Sequence, residues 1–425
     1  MNEFDKIFGY ESEKQELLRL CDVLRNRKKY EALGITLPKA ILLYGEPGLG
    51  KTIMAKAFIS ATGRRVFHCK KNKTNGDFVN EIKSTFENAI KNEPSIIFFD
   101  DMDKFAEDNL QQNCNKEEFV TIQTGFEDIM DKDVFVIATA NDIENLPESL
   151  LRVGRFGKKL RFSAPPLDDS IKIIRHYLAS KKVSPSVKPE SLAYILLGRS
   201  CAMLENVINE AGIYAAYNNS PEITMEHIRE AISSVMIERV RLSENDKIKP
   251  MIAYHEAGHA VMYLLSRHDV GCLAIGKCGN DGLGVGICTA GSIGKLAPYE
   301  EIHNYILMLL GGKAASELQF GITDTGVEKD VEEAMSLIKD NLQLSVLHGF
   351  EYCYTSLRYD NKQSYRQLDK NQEKAVQLLE EYYYEAKSLL LKHKDLLDEI
   401  ANELLEKEIL LYDDIIRIAN KYTLD

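Results

Sequence analysis

Residues 40–52 read AILLYGEPGLGKT, an apolar run followed by a glycine-rich loop that ends in Lys-Thr. The helix-like TIMAKAFISA begins at Thr52, so the pattern GxxxxGK[ST] lies between a strand and a helix. A phosphate-binding loop requires this context, because its backbone N–H groups and the helix N-terminus converge on phosphate oxygens. The residues predicted to bind the nucleotide here are Gly45, Glu46, Pro47, Gly48, Leu49, Gly50, Lys51 and Thr52.

Lys51 and Thr52 carry the chemistry expected of this loop. The ammonium group of Lys51 is expected to reach the β and γ phosphates of ATP, and the Thr52 hydroxyl is expected to ligate Mg²⁺. The competing interpretation is a glycine-rich surface loop that binds nothing. The strand–loop–helix order favours the nucleotide site, so ATP and Mg²⁺ are predicted cofactors.

Three further apolar runs occur in the first 165 residues, at 66–68, 95–99 and 134–138. Each run is short and flanked by polar or helix-like segments, which is typical of strands buried on both faces of a parallel sheet. Strands that alternate with helices indicate a doubly wound α/β domain. We therefore predict an α/β nucleotide-binding domain over residues 1–165.

Polar residues follow two of these runs. Asp100 comes directly after SIIFF and is expected to hold Mg²⁺ through water, while Asp101 would stand next to the attacking water. The run VFVIATA ends at Asn141, and the polar turn beyond it carries Arg152 and Arg155. These arginines are either solvated side chains or arginine fingers that reach the γ-phosphate on a neighbouring subunit.

The composition of the chain changes at Pro165-Pro166. Residues 166–240 show helix patterns alone and are predicted to form a small all-α unit, and the polar segment 241–250 is predicted to be a linker. Residues 251–425 are predicted to be mainly α-helical, apart from a glycine-rich stretch at 271–294 whose alternation indicates a small sheet.

A second motif, HEAGH at residues 255–259, lies in a segment predicted to be helical over 252–265. Helical spacing places His255 and His259 one turn apart on one face, where they could share one Zn²⁺, and Glu256 would act as general base. The alternative is a helix with two surface histidines. The flanks are apolar and favour the metal site, and Gly258 in mid-helix indicates a close contact.

A third ligand is needed to complete such a site. The pattern HExxHxxGxxH is excluded, because Met262 and Leu265 occupy its Gly and His positions. Spacing alone does not choose among the acidic residues downstream, which are Glu300, Glu301, Glu317, Asp324, Glu328 and Asp330.

Composition limits the class of protein. With 53 Lys and Arg against 65 Asp and Glu, the net charge of −12 argues against a general nucleic-acid binder. The N-terminus lacks the apolar core of a signal peptide, and no apolar run approaches the ~20 residues of a membrane helix. Eight cysteines without a CxxC pair indicate free thiols. The expectation is a soluble, intracellular protein of several domains, with no nucleic-acid partner.

The motifs of the first half resemble those of the AAA ATPase family in order and spacing. They are the phosphate-binding loop, IIFFDD, TAND and LLRVGRFGKKLRF. The N-terminal FDKIFGYESEKQEL resembles that family's entry segment, so Ile7, Phe8 and Gly9 are expected to pack on adenine. The resemblance implies a large α/β subdomain over 1–165, a helical lid over 166–240, and a homo-oligomeric ring, usually a hexamer. It also implies that Asn141 senses the γ-phosphate and that Arg152 and Arg155 act in trans.

The second half resembles the FtsH-type zinc metallopeptidase domain, through AYHEAGHAV, DGLGVGICTAG, LMLLGGKAASEL and DTGVEKDVEEA. This resemblance implies that Asp330 is the third zinc ligand, with Glu317 as second choice, and that the strand around 283–288 is an edge to which a peptide adds. It implies an ATP-dependent zinc metalloendopeptidase that unfolds and degrades unfolded or tagged proteins. The alternatives are a remodelling ATPase with a weak or vestigial peptidase domain, and a zinc peptidase whose ATPase only assembles the ring.

Three features depart from the family pattern. Transmembrane helices usually precede the ATPase domain, and here Met1 opens it, so a cytoplasmic protein is expected, or a membrane-associated one if an N-terminal segment is missing. Asp101 replaces the usual Glu, which predicts slow ATP hydrolysis. The pore-loop region, CKKNKTNGDFVNEI, lacks the aromatic-glycine signature; Phe78 is the nearest gripping candidate, and the loop is made basic by Lys70, Lys71 and Lys73.

Overall fold

The computed structural model describes residues 3–71, 77–105, 117–236, 248–278, 283–290, 297–322, 325–343, 347 and 365–424. The chain divides into two compact units, one formed by residues 1–176 with 199–205 and the other by 177–198 with 206–425. The segment 166–240 thus contributes residues to both units, and the lid boundaries drawn from the sequence stay a prediction.

A five-stranded parallel sheet forms the centre of the first unit, in the order β2-β3-β4-β1-β5. Its strands are β1 (Ala40–Tyr44), β2 (Arg65–Cys69), β3 (Ser95–Phe99), β4 (Val134–Ala140) and β5 (Lys158–Arg161). The residues of β3 and β4 are buried throughout and those of β1 almost throughout, as their continuous apolar sequences predict. The edge strand β2 is only partly buried, so the prediction of burial on both faces is wrong for it.

Two helices pack against the strands of this sheet, α3 (Lys51–Thr62), which follows the loop after β1, and α4 (Asp77–Lys91). The other helices of this part of the chain are α1 (Glu11–Arg25), α2 (Arg27–Glu31), α5 (Glu117–Asp128) and α6 (Leu167–Ala179). Phe78, in the first turn of α4, is fully buried, and its ring meets that of Phe105 edge-on at 4.8 Å. The prediction that Phe78 grips substrate is therefore wrong, because its side chain belongs to the core. Lys73 of the same region lies outside the described residues.

The second unit contains nine helices among its described residues. They are α7 (Pro189–Ile195), α8 (Cys201–Tyr217), whose first residues belong to the first unit, α9 (Met225–Met236), α10 (Lys249–Leu265), α11 (Tyr299–Phe320), α12 (Glu328–Gln343), α13 (Tyr365–Lys392), α14 (Lys394–Lys407) and α15 (Tyr412–Ala419). Helix α10 is buried along most of its length and packs against α11, α13 and α14. This burial explains why its sequence is apolar around the HExxH motif.

A three-stranded antiparallel sheet completes the second unit, in the order β7-β6-β8. The strands are β6 (Val270–Cys278), β7 (Leu283–Ala290) and β8 (Ile409–Leu411). The first two lie where the glycine-rich alternation predicts a sheet, and both contact α10. The sheet therefore lies beside the helix that carries the HExxH motif.

The end of the predicted linker overlaps a helix. Residues 241–247 lie outside the described part of the chain, but α10 already begins at Lys249. Pro250 thus stands in the first helical turn, where its missing N–H costs nothing. Across the described ranges, no helix is both long and apolar enough to cross a membrane.

Candidate active sites

The phosphate-binding loop lies at the carboxyl end of β1 and leads into α3. Gly48 and Gly50 adopt φ of +79° and +85°, a left-handed backbone that favours glycine. The buried Lys51 ammonium donates to the carbonyls of Gly45 and Glu46 at 2.5 and 2.7 Å and to Asn141 Oδ1 at 2.9 Å. Burial lowers the pKa of Lys51 from its ordinary value.

Thr52 meets Asp100 at the carboxyl end of β3, as an Mg²⁺ site requires. Thr52 Oγ1 donates to Asp100 Oδ1 at 3.0 Å, and Thr139 Oγ1 donates to the same oxygen at 2.8 Å. The Asp101 N–H donates to Thr139 Oγ1 at 2.9 Å. Hydroxyl and carboxylate oxygens are hard ligands, so Thr52 and Asp100 could hold Mg²⁺. Sequence reasoning missed the orienting role of Thr139, although it lies in the TAND segment.

Asp101 is turned by its backbone toward a neighbouring lysine. Its φ of +55° lies in the left-handed region, and its Oδ2 accepts from Lys104 Nζ at 2.9 Å. Lys70 Nζ, from the start of the predicted pore loop, lies 3.6 Å from Asp100 Oδ2. Asp103, which sequence reasoning also missed, is buried, and its Oδ1 has no hydrogen-bond partner in the described structure. The segment that follows β3 therefore carries three carboxylates, those of Asp100, Asp101 and Asp103, near the Lys51 ammonium of the phosphate-binding loop.

The N-terminal segment predicted to meet adenine packs against α6. A Cβ at Gly9, which has φ of +73°, would lie 3.1 Å from Asp169 Cβ, and the exposed Phe8 ring stacks on His176 at 4.2 Å. Ile7 is partly buried, and the short 3₁₀ helix before it packs on α3. Phe8 and Gly9 therefore pack on α6. The 3₁₀ turn before them lies beside α3, the helix that follows the phosphate-binding loop.

The two arginines differ in their surroundings. Arg152 is exposed, and Val153 beside it is 97% exposed. Arg155 Nη1 donates to the Ser149 carbonyl at 2.8 Å, and its Nη2 lies 3.3 Å from Glu127. Arg155 would have to leave these partners to act on a neighbouring subunit, so its assignment as a trans arginine finger stays a prediction.

The HExxH motif and one distant aspartate converge in the second unit. The Nε2 atoms of His255 and His259 lie 3.0 Å apart, and Asp330 Oδ2 lies 3.2 and 3.3 Å from them. Ligands about 2.0–2.1 Å from a tetrahedral Zn²⁺ lie about 3.3 Å from one another, so the three donor atoms have the spacing of zinc ligands. Among the described histidines, cysteines and carboxylates, this is the group that could hold a metal.

Hydrogen bonding and burial set the protonation and orientation of these side chains. His259 Nδ1 lies 2.7 Å from the Met308 carbonyl, which can only accept, so Nδ1 carries a proton and Nε2 is the nitrogen that a neutral imidazole presents to a metal. Burial alone would raise the pKa of Asp330, but the two imidazoles hold it well below its ordinary value. Burial raises the pKa of the Glu256 carboxyl, although both histidines oppose this.

Glu317, the second choice as ligand, is occupied elsewhere. It accepts hydrogen bonds from Lys313 and Tyr383 and lies 3.4 Å from Lys387 Nζ. Although burial opposes the shift, these partners lower its pKa to about 2. The structure thus brings Asp330 rather than Glu317 to the histidines. Asp324, another candidate, lies outside the described residues.

Glycines bring α10 and α11 into close contact behind the histidines. A Cβ on Gly258 would lie 2.3 Å from the Gly311 carbonyl oxygen, which confirms the close contact predicted for Gly258. A Cβ on Gly312 would lie 2.6 Å from both His255 Cε1 and His259 Nε2. Both imidazoles therefore rest on the bare backbone of α11, a role for Gly312 that sequence reasoning missed.

The change Gly312→Ala is expected to disrupt the metal site without removing a ligand. Its methyl group would displace both imidazoles, so zinc affinity should fall by about 100-fold, the upper end for changes around metal ligands. Zinc retained after dialysis against a chelator measures this. Gly212→Ala is the matched control, because a Cβ at this helical glycine meets Ile223 Cδ1 at an ordinary 3.6 Å. Equal zinc retention by the two variants would contradict the assignment.

The strand predicted around residues 283–288 is present as β7. It pairs with β6 and lies at the edge of the described sheet, next to α10. An edge strand offers unpaired backbone groups on its outer side, which is what an added peptide strand needs.

Comparison with known proteins agrees with both sites. Residues 41–164 match the family described as "ATPase family associated with various cellular activities (AAA)", and residues 242–418 match "Peptidase family M41". The chain is 30% identical to the ATP-dependent zinc metalloprotease FtsH of Borreliella burgdorferi, over 96% of this chain and 68% of that protein. It is 31% identical to FtsH of an aster yellows witches'-broom phytoplasma (98% and 64%) and 30% identical to FtsH 4 of Synechocystis (96% and 69%). The chain thus spans about two thirds of the length of these relatives.

Proposed function

Because the chain belongs to the FtsH family of AAA ATP-dependent zinc metalloproteases, we propose that it forms a homo-oligomeric ring, a hexamer, that unfolds protein substrates and cuts them. Unfolded or tagged proteins would be its substrates. The observation that carries this proposal is the convergence of His255, His259 and Asp330 beside the buried Glu256, in a chain that also has the phosphate-binding loop.

In the peptidase site, His255, His259 and Asp330 would hold Zn²⁺. The metal, when bound, supplies a Lewis acid that polarises the scissile carbonyl. Glu256 would accept a proton from the attacking water and return it to the leaving amine. Burial raises the pKa of Glu256, which makes its carboxylate a stronger base. The edge of β7 would align the substrate as an added strand.

In the nucleotide site, Lys51 would exchange its present carbonyl and amide partners for the β and γ phosphates. Thr52 and Asp100 would hold Mg²⁺, Asp101 would orient the attacking water, and Asn141 would sense the γ-phosphate. The adenine would lie against Ile7, Phe8 and Gly9.

Arg152 and Arg155 would complete the nucleotide site of the neighbouring subunit, which makes hydrolysis depend on the ring.

The mass of the purified chain with and without ATP·Mg²⁺ tests the assembly. A six-chain species with ATP supports it, and a chain that stays monomeric while it hydrolyses ATP contradicts it. In the described residues, no observation favours the alternative of a remodelling ATPase with a vestigial peptidase.

The change Asp101→Glu is expected to accelerate ATP hydrolysis. The extra methylene would extend the carboxylate toward the water that Asp101, paired with Lys104, reaches poorly. We expect an increase of about tenfold, a modest share of what a positioned base contributes. Steady-state phosphate release measures this, with nucleotide affinity as the control. Asp101→Asn should instead slow hydrolysis. An Asp101→Glu variant no faster than the parent chain would contradict the proposal that the shorter side chain of Asp101 slows hydrolysis.

A further inference from the structure

A polar contact joins α11 to α12 close to the metal triad. Tyr305 Oη donates to Glu333 Oε1 at 2.9 Å. Glu333 follows Asp330 by three residues on α12, and Tyr305 precedes Met308, the partner of His259, by three residues on α11. Residues three apart share a helix face, so this contact lies about one turn from Asp330 on α12 and about one turn from Met308 on α11.

Asp330 depends on such a contact more than the histidines do. Both histidines stand on α10, whose glycine contact with α11 fixes its position. Asp330 stands in the first turn of α12, where Val331 packs on the core only partly buried, and the fully buried anchors of that helix, Ala334, Ile338 and Leu342, lie further along it. The short 3₁₀ turn before α12, Thr325–Val327, has no buried residue.

Tyr305 is suited to hold this first turn. Its ring is partly buried against the core of the second unit, so the hydroxyl is carried by a fixed group. Burial, followed by the hydrogen bond to Glu333, raises the pKa of Tyr305 to about 12, and the phenol therefore remains a donor at neutral pH.

We propose that Tyr305 is a positioning residue of the metal site: through Glu333 it holds the first turn of α12 so that Asp330 stays within reach of both histidines. This inference rests on the proposed function, which assigns zinc to the triad. The role is one of positioning, because neither Tyr305 nor Glu333 belongs to the group of residues that could hold the metal. Its signature is the lifetime of bound zinc.

The test is the rate at which the full, zinc-loaded chain transfers zinc to excess chelator. Tyr305→Phe removes the hydroxyl alone and should speed zinc release about fivefold, the effect of one net hydrogen bond. Glu333→Ala should act alike, and the double variant should be no faster than either single one, since both changes remove the same contact. Glu333→Gln keeps an amide oxygen that accepts the bond and should stay close to the parent rate.

Tyr422→Phe is the matched control. Tyr422 also packs partly buried on the core of this unit and donates to a carboxylate, Glu399 Oε2, at 2.7 Å. Its loss should lower thermal stability to a similar extent and leave zinc release unchanged. Equal zinc release by Tyr305→Phe and Tyr422→Phe overturns the inference. If Tyr305→Phe folds poorly, the comparison of Glu333→Ala with Glu333→Gln tests the same contact, and equal zinc release by those two variants overturns the inference.

His259→Ala in the same assay separates this inference from its premise. The parent chain should retain zinc and His259→Ala should lose it. A parent chain that binds no zinc, or a His259→Ala variant that holds zinc equally well, overturns the proposed function and this inference with it. Zinc bound by the parent chain and lost by His259→Ala, with Tyr305→Phe at the parent rate, overturns the inference alone.

Discussion

Glu256→Gln is expected to abolish peptide-bond cleavage while zinc binding and ATP hydrolysis persist. The amide has nearly the same size as the carboxylate and fits the same buried position, but it cannot accept the proton of the attacking water. Casein cleavage should fall by about 10²–10⁴-fold, the range attributed to a positioned general base. Peptide release from casein measures the loss, and zinc content and phosphate release measure what remains.

Glu301→Gln provides the control for this change, since Glu301 is exposed on α11 and the same chemical replacement there should leave cleavage intact. Cleavage that survives Glu256→Gln would defeat the assigned mechanism. Loss of zinc together with activity would mean that the variant reports on the fold of the site rather than on its base.

Lys51→Ala is expected to remove ATP hydrolysis and, with it, ATP-driven degradation. The buried ammonium is the positively charged group that the loop can place against the phosphates. Its loss leaves two backbone carbonyls and the Asn141 amide oxygen, all partly negative, facing the phosphates. Hydrolysis should fall by about 100-fold or more, as for other groups that stabilise developing charge. Phosphate release and nucleotide affinity measure this effect.

Lys56→Ala is the matched control, because Lys56 is exposed on the same helix, α3. Hydrolysis by Lys51→Ala at the parent rate would contradict the nucleotide site. A Lys51→Ala chain that still assembles and degrades casein at the parent rate would support the alternative in which the ATPase only builds the ring.

Local sequence patterns predicted the parts of the fold that are continuous in the chain. The core strands β1, β3 and β4 are apolar runs buried on both faces, and their sequences show it directly. Strand β5 escaped notice because KKLR is an exposed edge with alternating burial, and β8 because three residues between two helices carry no period.

The metal site shows where prediction from the sequence ends. HExxH is local, so helical spacing alone placed His255 and His259 together. Asp330 lies 71 residues beyond His259, and no spacing rule selects it. The resemblance of the second half of the chain to a known family singled out Asp330, and the structure brings this residue to the histidines. The contact of Gly312 with both imidazoles and the burial of Phe78 depend on how separate helices pack, which the sequence pattern does not encode.

The most direct test of the account is the rate of casein cleavage by the zinc-loaded chain with ATP·Mg²⁺, compared with the rate with a non-hydrolysable ATP analogue. Both nucleotides would occupy the phosphate-binding loop, but ATP alone can be hydrolysed there. The account predicts rapid cleavage with ATP and a small residual rate with the analogue. Equal cleavage with both nucleotides would contradict the claim that hydrolysis at the phosphate-binding loop drives degradation at the metal site.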